Sequence, residues 1–433
     1  METSPLEIVR LWKRPDRYYL RLLRRSEGEV TGVLPKVRKI VSHVREKGDL
    51  ALLDYTKKFD GIDLTRDQLC VSKSELEGAY GELESESIKA LEKAAETIKR
   101  YHRRQLPEEW MEEFESGVYA GEIVRPLDSV GIYAPGGIAR YPSSVLMSVI
   151  PARVAGVRRI VVCTPPDSEG RIDDTVMAAA VIAEADEVYR VGGAQAIAAM
   201  AYGTRTIPKM DKIVGPGGIY VQAAKKVVSS NTNIDFVAGP SEVLVLADSF
   251  ANPRLIALDL VAQAEHDPSS AAVLATSSKK LAEKVQKEVA SLIDETPRRR
   301  IVLESIQKYG RIVVARSLKR ATEFANDYAP EHLELMVKRP KKILDQIKNA
   351  GAVFIGPYSP IAAGDFAVGP SHVLPTGGAS RWSSGLSVMS FLRTPSVQKA
   401  TKDGLKRLSE VVEKLAELEG LPAHARSVRE RLD

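Results

Sequence analysis

The sequence predicts an α/β protein built on two doubly wound parallel sheets, with smaller segments at either end. Two observations carry that reading. From residue 129 onward, short apolar runs rich in Val and Ile alternate with longer helical patterns, the signature of parallel βαβ units. The alternation occurs twice, over 130–214 and again over 242–355, so one sheet does not absorb it. A length of 433 residues leaves room for two to four domains. Each unit is then an incomplete Rossmann-like sheet, with sites expected at the carboxyl ends of its strands.

The elements follow in chain order. Residues 1–27 are polar and basic, with Trp12, Tyr18, Tyr19 and Leu20 as anchors, and form an arm. Leu34-Pro35 opens a helix that ends near Gly48. Ser72-Lys73-Ser74-Glu75 is a capping box. A long helix over 85–104 places Ile88, Leu91, Ala95 and Ile98 on one face. The first set of strands falls at 130–133, 160–163, 188–191 and 212–214, with helices at 144–155, 175–185, 194–202 and 220–228. The second set falls at 242–246, 272–275, 312–315, 333–337 and 352–355. Near the end, Leu405, Leu408, Val411, Val412, Leu415 and Leu418 make one apolar helical stripe. A lone terminal helix has nothing of its own to cover such a stripe, so it must dock on the body or on another subunit. The expected division is an arm (1–27), a discontinuous unit (28–131 with 242–386), a second unit (132–241) and a helical tail (387–433).

Composition excludes several classes. The formal charge of +5 comes from 62 basic and 57 acidic residues spread along the chain. The nearest basic cluster, Lys99-Arg100 with Arg103-Arg104, lies on a helix and reads as a solvated face. Without a basic stripe interleaved with aromatics, no nucleic-acid partner is expected. No apolar run approaches the ~20 residues of a membrane helix, and Met1 to Arg25 lacks the apolar core of a signal peptide. Cys70 and Cys163 stand far apart with no CxxC, which fits a reducing cytoplasm. Cys163 ends an Ile-Val-Val run and reads as a small core residue.

Four of the six histidines sit at element ends or in loops, where sites are usually built: His266, His332, His372 and His424. The other two, His43 and His102, read as solvent-facing. Asn252-Pro253 starts a helix that Pro268 ends, so Gln263 and His266 share the face of its last turn. Both reach one metal from there; a polar helix end with a solvated histidine fits the same pattern. Asp365 and His372 fall in Gly- and Pro-rich loop sequence, suited to ligands or to an Asx turn. Gly420 reads as a C-cap and Pro422 as a helix restart, a turn that presents Glu419 and His424 together. Gln263, His266, Asp365 and His424 form an N/O donor set that zinc accepts, and that manganese or cobalt accepts too. Glu331-His332 before a strand is either an acid/base pair or a helix opening with a capping histidine. The glycine turns 136–137, 192–193, 215–218 and 239–240 each follow a strand, but none is GxGxxG.

Taken together these motifs become specific. Tyr133-Ala134-Pro135-Gly136-Gly137 with Tyr141-Pro142-Ser143-Ser144, then Ala238-Gly239-Pro240-Ser241-Glu242, then residues 262–267, 329–335, 372–376 and 419–424 resemble the histidinol dehydrogenase family, in its order, from about residue 30 to the C-terminus. The resemblance implies an NAD- and zinc-dependent enzyme that oxidises L-histidinol by way of the aldehyde to L-histidine. It implies zinc on Gln263, His266, Asp365 and His424, and catalysis by Glu331 and His332. It implies substrate contacts from Ser241, His332, His372 and Glu419 beside the metal ligands, and NAD contacts from Tyr133 and Gln195. The family's further NAD contact is an asparagine in a GPGN turn; here Gly218 stands in its place and leaves only backbone. The resemblance also implies a homodimer with exchanged terminal segments, which gives the orphan stripe at 405–418 a partner. Two other readings share the motifs: a zinc dehydrogenase of this fold acting on another alcohol, such as a sulfonated diol, and a non-catalytic metal-binding relative. Glu419 beside His424 favours histidinol; Gly218 is the one feature that favours the non-catalytic relative.

Overall fold

A computed structural model describes residues 6–11, 16–23, 29–136 and 140–433. Trp12, Gly137 and the side chain of Tyr18 lie outside the described residues. The strands are β1 (Glu7–Arg10), β2 (Trp110–Glu115), β3 (Val118–Glu122), β4 (Arg125–Pro126), β5 (Ser129–Tyr133), β6 (Arg159–Thr164), β7 (Glu187–Arg190), β8 (Lys212–Val214), β9 (Asn233–Ile234), β10 (Glu242–Ala247), β11 (Ala271–Thr276), β12 (Arg311–Val314), β13 (His332–Met336), β14 (Ala352–Ile355), β15 (Leu392–Arg393) and β16 (Ser396–Ala400).

Two parallel sheets dominate. One has five strands in the order β7-β6-β5-β8-β9; the other has six, in the order β1-β12-β11-β10-β13-β14. Their central strands β6, β10, β11 and β13 are buried at nearly every position because helices cover both faces. In the six-stranded sheet, Val243, Val245 and Leu274 face the helices Pro253–Ala264 and Lys279–Glu295, while Leu244, Leu335 and Phe324 pack on the other side. In the five-stranded sheet Val161 and Cys163 pack beneath the helices Gly193–Tyr202 and Ile219–Val228. Cys163 is wholly buried, as its apolar run predicts. The arm contributes β1, an edge strand whose register pairs Glu7 with Arg311.

Several local expectations hold at their stated positions. Ser72 caps the helix Lys73–Glu82, and Ser72 and Glu75 make the reciprocal bonds of a capping box. The helix that follows spans Ser85–Arg103. Gly420 adopts φ +69 after the helix Lys402–Leu418, and Pro422 starts the next helix, Pro422–Leu432.

Other features differ. The first long helix is Glu29–Lys47, so Pro35 lies inside it instead of opening it. His102 is fully buried and not solvent-facing: its helix lies against the five-stranded sheet's layer, and its Nδ1 bonds Gln105 Oε1 at 2.7 Å. His43 is half-buried against the edge of Tyr55. The helices between 29 and 103 pack on the five-stranded sheet, since Val37, Val41 and Ile98 share its two cores; the division drawn from sequence groups that segment with the other sheet. Strands β2, β3 and β16 form a small antiparallel sheet, which the helical and parallel-strand patterns of the sequence did not predict.

Candidate active site

The sheets approach each other by unlike edges. The five-stranded sheet offers its carboxyl edge, where β5 ends at Tyr133 and β8 runs into the turn at 215–218. The six-stranded sheet offers its amino edge, where β10 and β13 begin at Glu242 and His332. Sites at the carboxyl ends of both sheets are therefore half right. The helix Pro253–Ala264 leaves the carboxyl end of β10 and returns to its amino end, carrying Gln263 and His266 back with it.

His332 is the first residue of β13 and is 4% exposed. Its Nδ1 lies 3.0 Å from the carbonyl oxygen of Glu242 on β10. A carbonyl only accepts, so Nδ1 carries the hydrogen and Nε2 is the basic nitrogen. Among the described residues that Nε2 is buried without a hydrogen-bond partner, and it faces Asp365 Oδ1 at 3.7 Å. Burial, then the nearby His266 and His372 rings, push its pKa down to about 4. The ring is neutral at pH 7 and presents a bare lone pair.

Glu331 and Glu242 hold each other across the strands. Glu331 Oε2 accepts from the Glu242 amide at 2.8 Å, and Glu242 Oε1 accepts from the Glu331 amide at 3.2 Å. Glu242 Oε1 also accepts from the Gly377 amide at 3.1 Å, drawing in the loop after His372. Glu331 Oε2 is 3.5 Å from His332 Nδ1, the nitrogen away from Asp365. Glu242 was not among the residues singled out from sequence; an acid at the mouth of an apolar strand was the signal available.

Asp365 lies in a short helix, Ile361–Phe366, not in a loop, and burial raises its carboxyl to about 7. Its backbone oxygen accepts from His372 Nδ1 at 2.9 Å, while His372 Nε2 meets Ser144 Oγ at 3.3 Å. Ser144 opens the helix Pro142–Ala155 of the five-stranded sheet, so this pair bridges the two edges. The protein around His266 holds its imidazole below the ordinary value, although the residue is accessible. Gln263 is buried, with no hydrogen-bond partner for Nε2 among the described residues. Ser241 precedes β10, and its carbonyl accepts from the Ala271 amide at 3.0 Å.

Across the cleft, Tyr133 Oη accepts from the Gly193 amide at 3.1 Å. Both Tyr133 and Gln195 are buried. Gly218 is the N-cap of the helix Ile219–Val228 with φ −65 and ψ 177. The two tail residues lie elsewhere. The tail leaves β16 and rests on the small sheet, where the Thr401 amide donates to Gly117 O at 2.8 Å. Glu419 and His424 are exposed, and the hydrogen bonds of their backbones stay within the tail. Among the described residues, no three His, Cys, Asp or Glu side chains converge on one metal position within a single chain.

The model of the histidinol dehydrogenase family matches residues 23–432. The chain is 53% identical to the histidinol dehydrogenase of Methanothermobacter thermautotrophicus over 95% of its length and 96% of that protein. It is 49% identical to that of Methanopyrus kandleri, covering 98% and 100%. The chain belongs to the histidinol dehydrogenase family. The crystal structure of the Elizabethkingia anophelis histidinol dehydrogenase superposes with a TM-score of 0.95 at 37% identity, covering 100% of this chain and 99% of that one.

The residues present fit the family's metal. Gln263 brings a buried amide with an orphaned polar atom, Asp365 a carboxyl in a medium that disfavours its bare charge, and His266 a neutral imidazole. This is borderline N/O chemistry suited to zinc. Asp365 faces His332, His266 lies near the same ring, and Gln263 is three residues before His266; His424 is exposed on the tail.

Proposed function

We propose that this protein oxidises L-histidinol to L-histidine through the bound aldehyde, reducing two NAD, as the closing steps of histidine biosynthesis in the cytoplasm. The observation that carries the reading is the neutral His332, whose lone pair at Nε2 points into the cleft beside Asp365. Gln263, His266 and Asp365, with His424 of a second subunit, would hold zinc, which supplies an anchor for the imidazole and amine of the substrate. NAD, when bound, would supply the hydride acceptor, and Tyr133, Gln195 and the turn ending at Gly218 would hold it.

The side chains do the proton work. His332 Nε2 takes the hydroxyl proton as hydride leaves the carbinol carbon, giving the aldehyde. The Glu242 carbonyl on Nδ1–H stabilises the imidazolium that forms and keeps Nε2 as the reacting nitrogen. Glu331 takes a proton from water as its oxygen adds to the aldehyde carbon, and the His332 imidazolium gives its proton to the former carbonyl oxygen, leaving a gem-diol and a neutral His332. His332 then takes a gem-diol proton in the second hydride transfer. Ser241, His372 and Glu419 would hold the substrate's polar groups. Confining both oxidations to one site protects the aldehyde, and orientation supplies much of the rate.

The test is stoichiometry. Zinc-loaded protein supplied with L-histidinol should give two NADH per L-histidine. One NADH with free aldehyde accumulating, or no NADH, overturns the reading.

A further inference from the structure

Lys225 lies on the helix Ile219–Val228 and takes no part in the chemistry above, yet it is among the largest fully buried side chains. Its Nζ donates to the Gly215 carbonyl at 3.0 Å and forms an ion pair with Asp235 Oδ1. The other oxygen, Asp235 Oδ2, accepts from the Gly215 amide at 2.9 Å. Both side chains are 1% exposed. The Phe236 ring lies 5.8 Å from Nζ and helps to close the pair off. The two halves of one buried ion pair therefore hold both backbone polar groups of one residue.

That residue opens the turn 215–218. Gly215 adopts φ +116, and a Cβ there would meet the Tyr133 carbonyl oxygen at 2.2 Å, so the turn is pressed against β5 where only glycine fits. Further along, buried Gln222 donates from Nε2 to the Gly217 carbonyl at 3.2 Å and accepts the Ala238 amide at 2.8 Å. Two of the turn's carbonyls, those of Gly215 and Gly217, are thus bound by buried side-chain donors on the helix it precedes. The amides at the start of that helix have no intrahelical partner, which suits an anionic ligand.

An ion pair this deep is an inefficient way to stabilise a fold, because desolvating two charges offsets most of their attraction. An apolar pair would join helix to sheet as well. It would not fix one peptide unit from both sides. We propose that the Lys225–Asp235 pair is a positioning device that holds the turn 215–218 in its cofactor-binding shape before the cofactor arrives. This rests on the reading of that turn as part of the NAD site. Neither residue is offered as touching NAD.

The double variant Lys225→Met/Asp235→Asn removes both charges of the pair and keeps an acceptor for the Gly215 amide, but strips the donor from its carbonyl; half-buried Lys212 nearby keeps its bond to the Ser390 carbonyl. It should fold by circular dichroism and retain zinc by elemental analysis. Calorimetric titration should show NAD bound about tenfold more weakly, with the Michaelis constant for histidinol within about twofold of the parent. An NAD affinity within about twofold of the parent in the folded variant overturns the proposal. If the double variant does not fold, Lys225→Gln/Asp235→Asn, a neutral pair whose shorter amide draws the donor back from the Gly215 carbonyl, is titrated instead; a loss of about threefold or more supports the clamp, and an unchanged affinity overturns it. Gly218→Glu separates the two layers of the argument. A Cβ at Gly218 meets nothing within 4 Å, so the variant tests only whether an added carboxylate repels the cofactor. If Gly218→Glu weakens NAD binding and the double variant does not, the clamp fails while the site stands. If Gly218→Glu leaves NAD binding intact, the assignment of the turn fails and takes the clamp with it.

Discussion

Gly218→Asn is the perturbation whose size follows most directly from the structure. Gly218 is an N-cap in extended backbone, and among the described residues no atom lies within 4 Å of where its Cβ would go. Its negative φ needs no glycine, so the substitution introduces no strain. Two effects separate. In the free protein, Asn restricts the unfolded chain and caps the helix Ile219–Val228, together worth about 1 kcal/mol of stability. In a chain of this size that moves Tm by about 2 °C or less. With cofactor, the amide supplies the hydrogen bond that glycine lacks, worth ~0.5–1.5 kcal/mol net. At 1.4 kcal/mol per tenfold, NAD affinity should rise about two- to twelvefold. Calorimetric titration of NAD into zinc-loaded protein reads the second effect, and thermal unfolding without NAD reads the first. A raised Tm with unchanged or weaker NAD binding would refute the reasoning, because the turn would then be well capped but not in contact with the cofactor.

Three further predictions concern other parts of the molecule. Glu331→Gln should slow oxidation of the aldehyde more than of the alcohol, while His332→Asn should slow both; equal losses in the two half-reactions would contradict the division of labour. Refolding a mixture of His332→Asn and His424→Ala should restore about a quarter of wild-type activity, since about half the dimers are mixed and each carries one intact site if the tail serves its partner; a mixture as dead as its parents would mean the tail is not exchanged. Glu334, 1% exposed on β13 and beside Asp259, has its carboxyl raised far above the usual range, first by burial and then by Asp259. The folded chain then keeps a proton that the unfolded chain releases above about pH 4.3, so this group's contribution to stability is full at acid pH and falls as pH rises. Glu334→Gln should flatten the decline of Tm between about pH 5 and 9; a slope identical to the parent's would show that Glu334 is not the titrating group.

The complementation experiment addresses a feature a single chain leaves open. In the helix Lys402–Leu418, Val411, Leu415 and Leu418 are exposed at 58%, 54% and 73%, and Leu421 beyond it at 40%. The apolar stripe predicted from its spacing is therefore present and half bare. Glu419 and His424 follow that bare half; both are exposed, and the hydrogen bonds of their backbones stay within the tail.

The amino-acid sequence by itself determined what depends on near neighbours. Alternating apolar runs set both parallel sheets, Ser72 and Glu75 set a helix start, Gly420-Leu421-Pro422 set the break in the tail, and the order of six motifs set the family. Each is written in residues a few positions apart, where backbone preference and side-chain spacing decide the outcome. What only the tertiary structure decided depends on residues far apart in the chain. The amino edge of the six-stranded sheet came to carry the candidate site because the helix Pro253–Ala264 doubles back along β10. His102 became a core residue because the helix Ser85–Arg103 turns that face towards the five-stranded sheet's layer. Asp365 entered a helix, and Glu331 found its partner in Glu242, 89 residues earlier. Lys225 reads in sequence as one more helix lysine; packing excludes water from it, and Asp235 and Gly215 make that tolerable. Periodicity tells a residue which face of its own element it occupies. It does not tell which other element will cover that face, and burial, charge state and reactivity all follow from the covering.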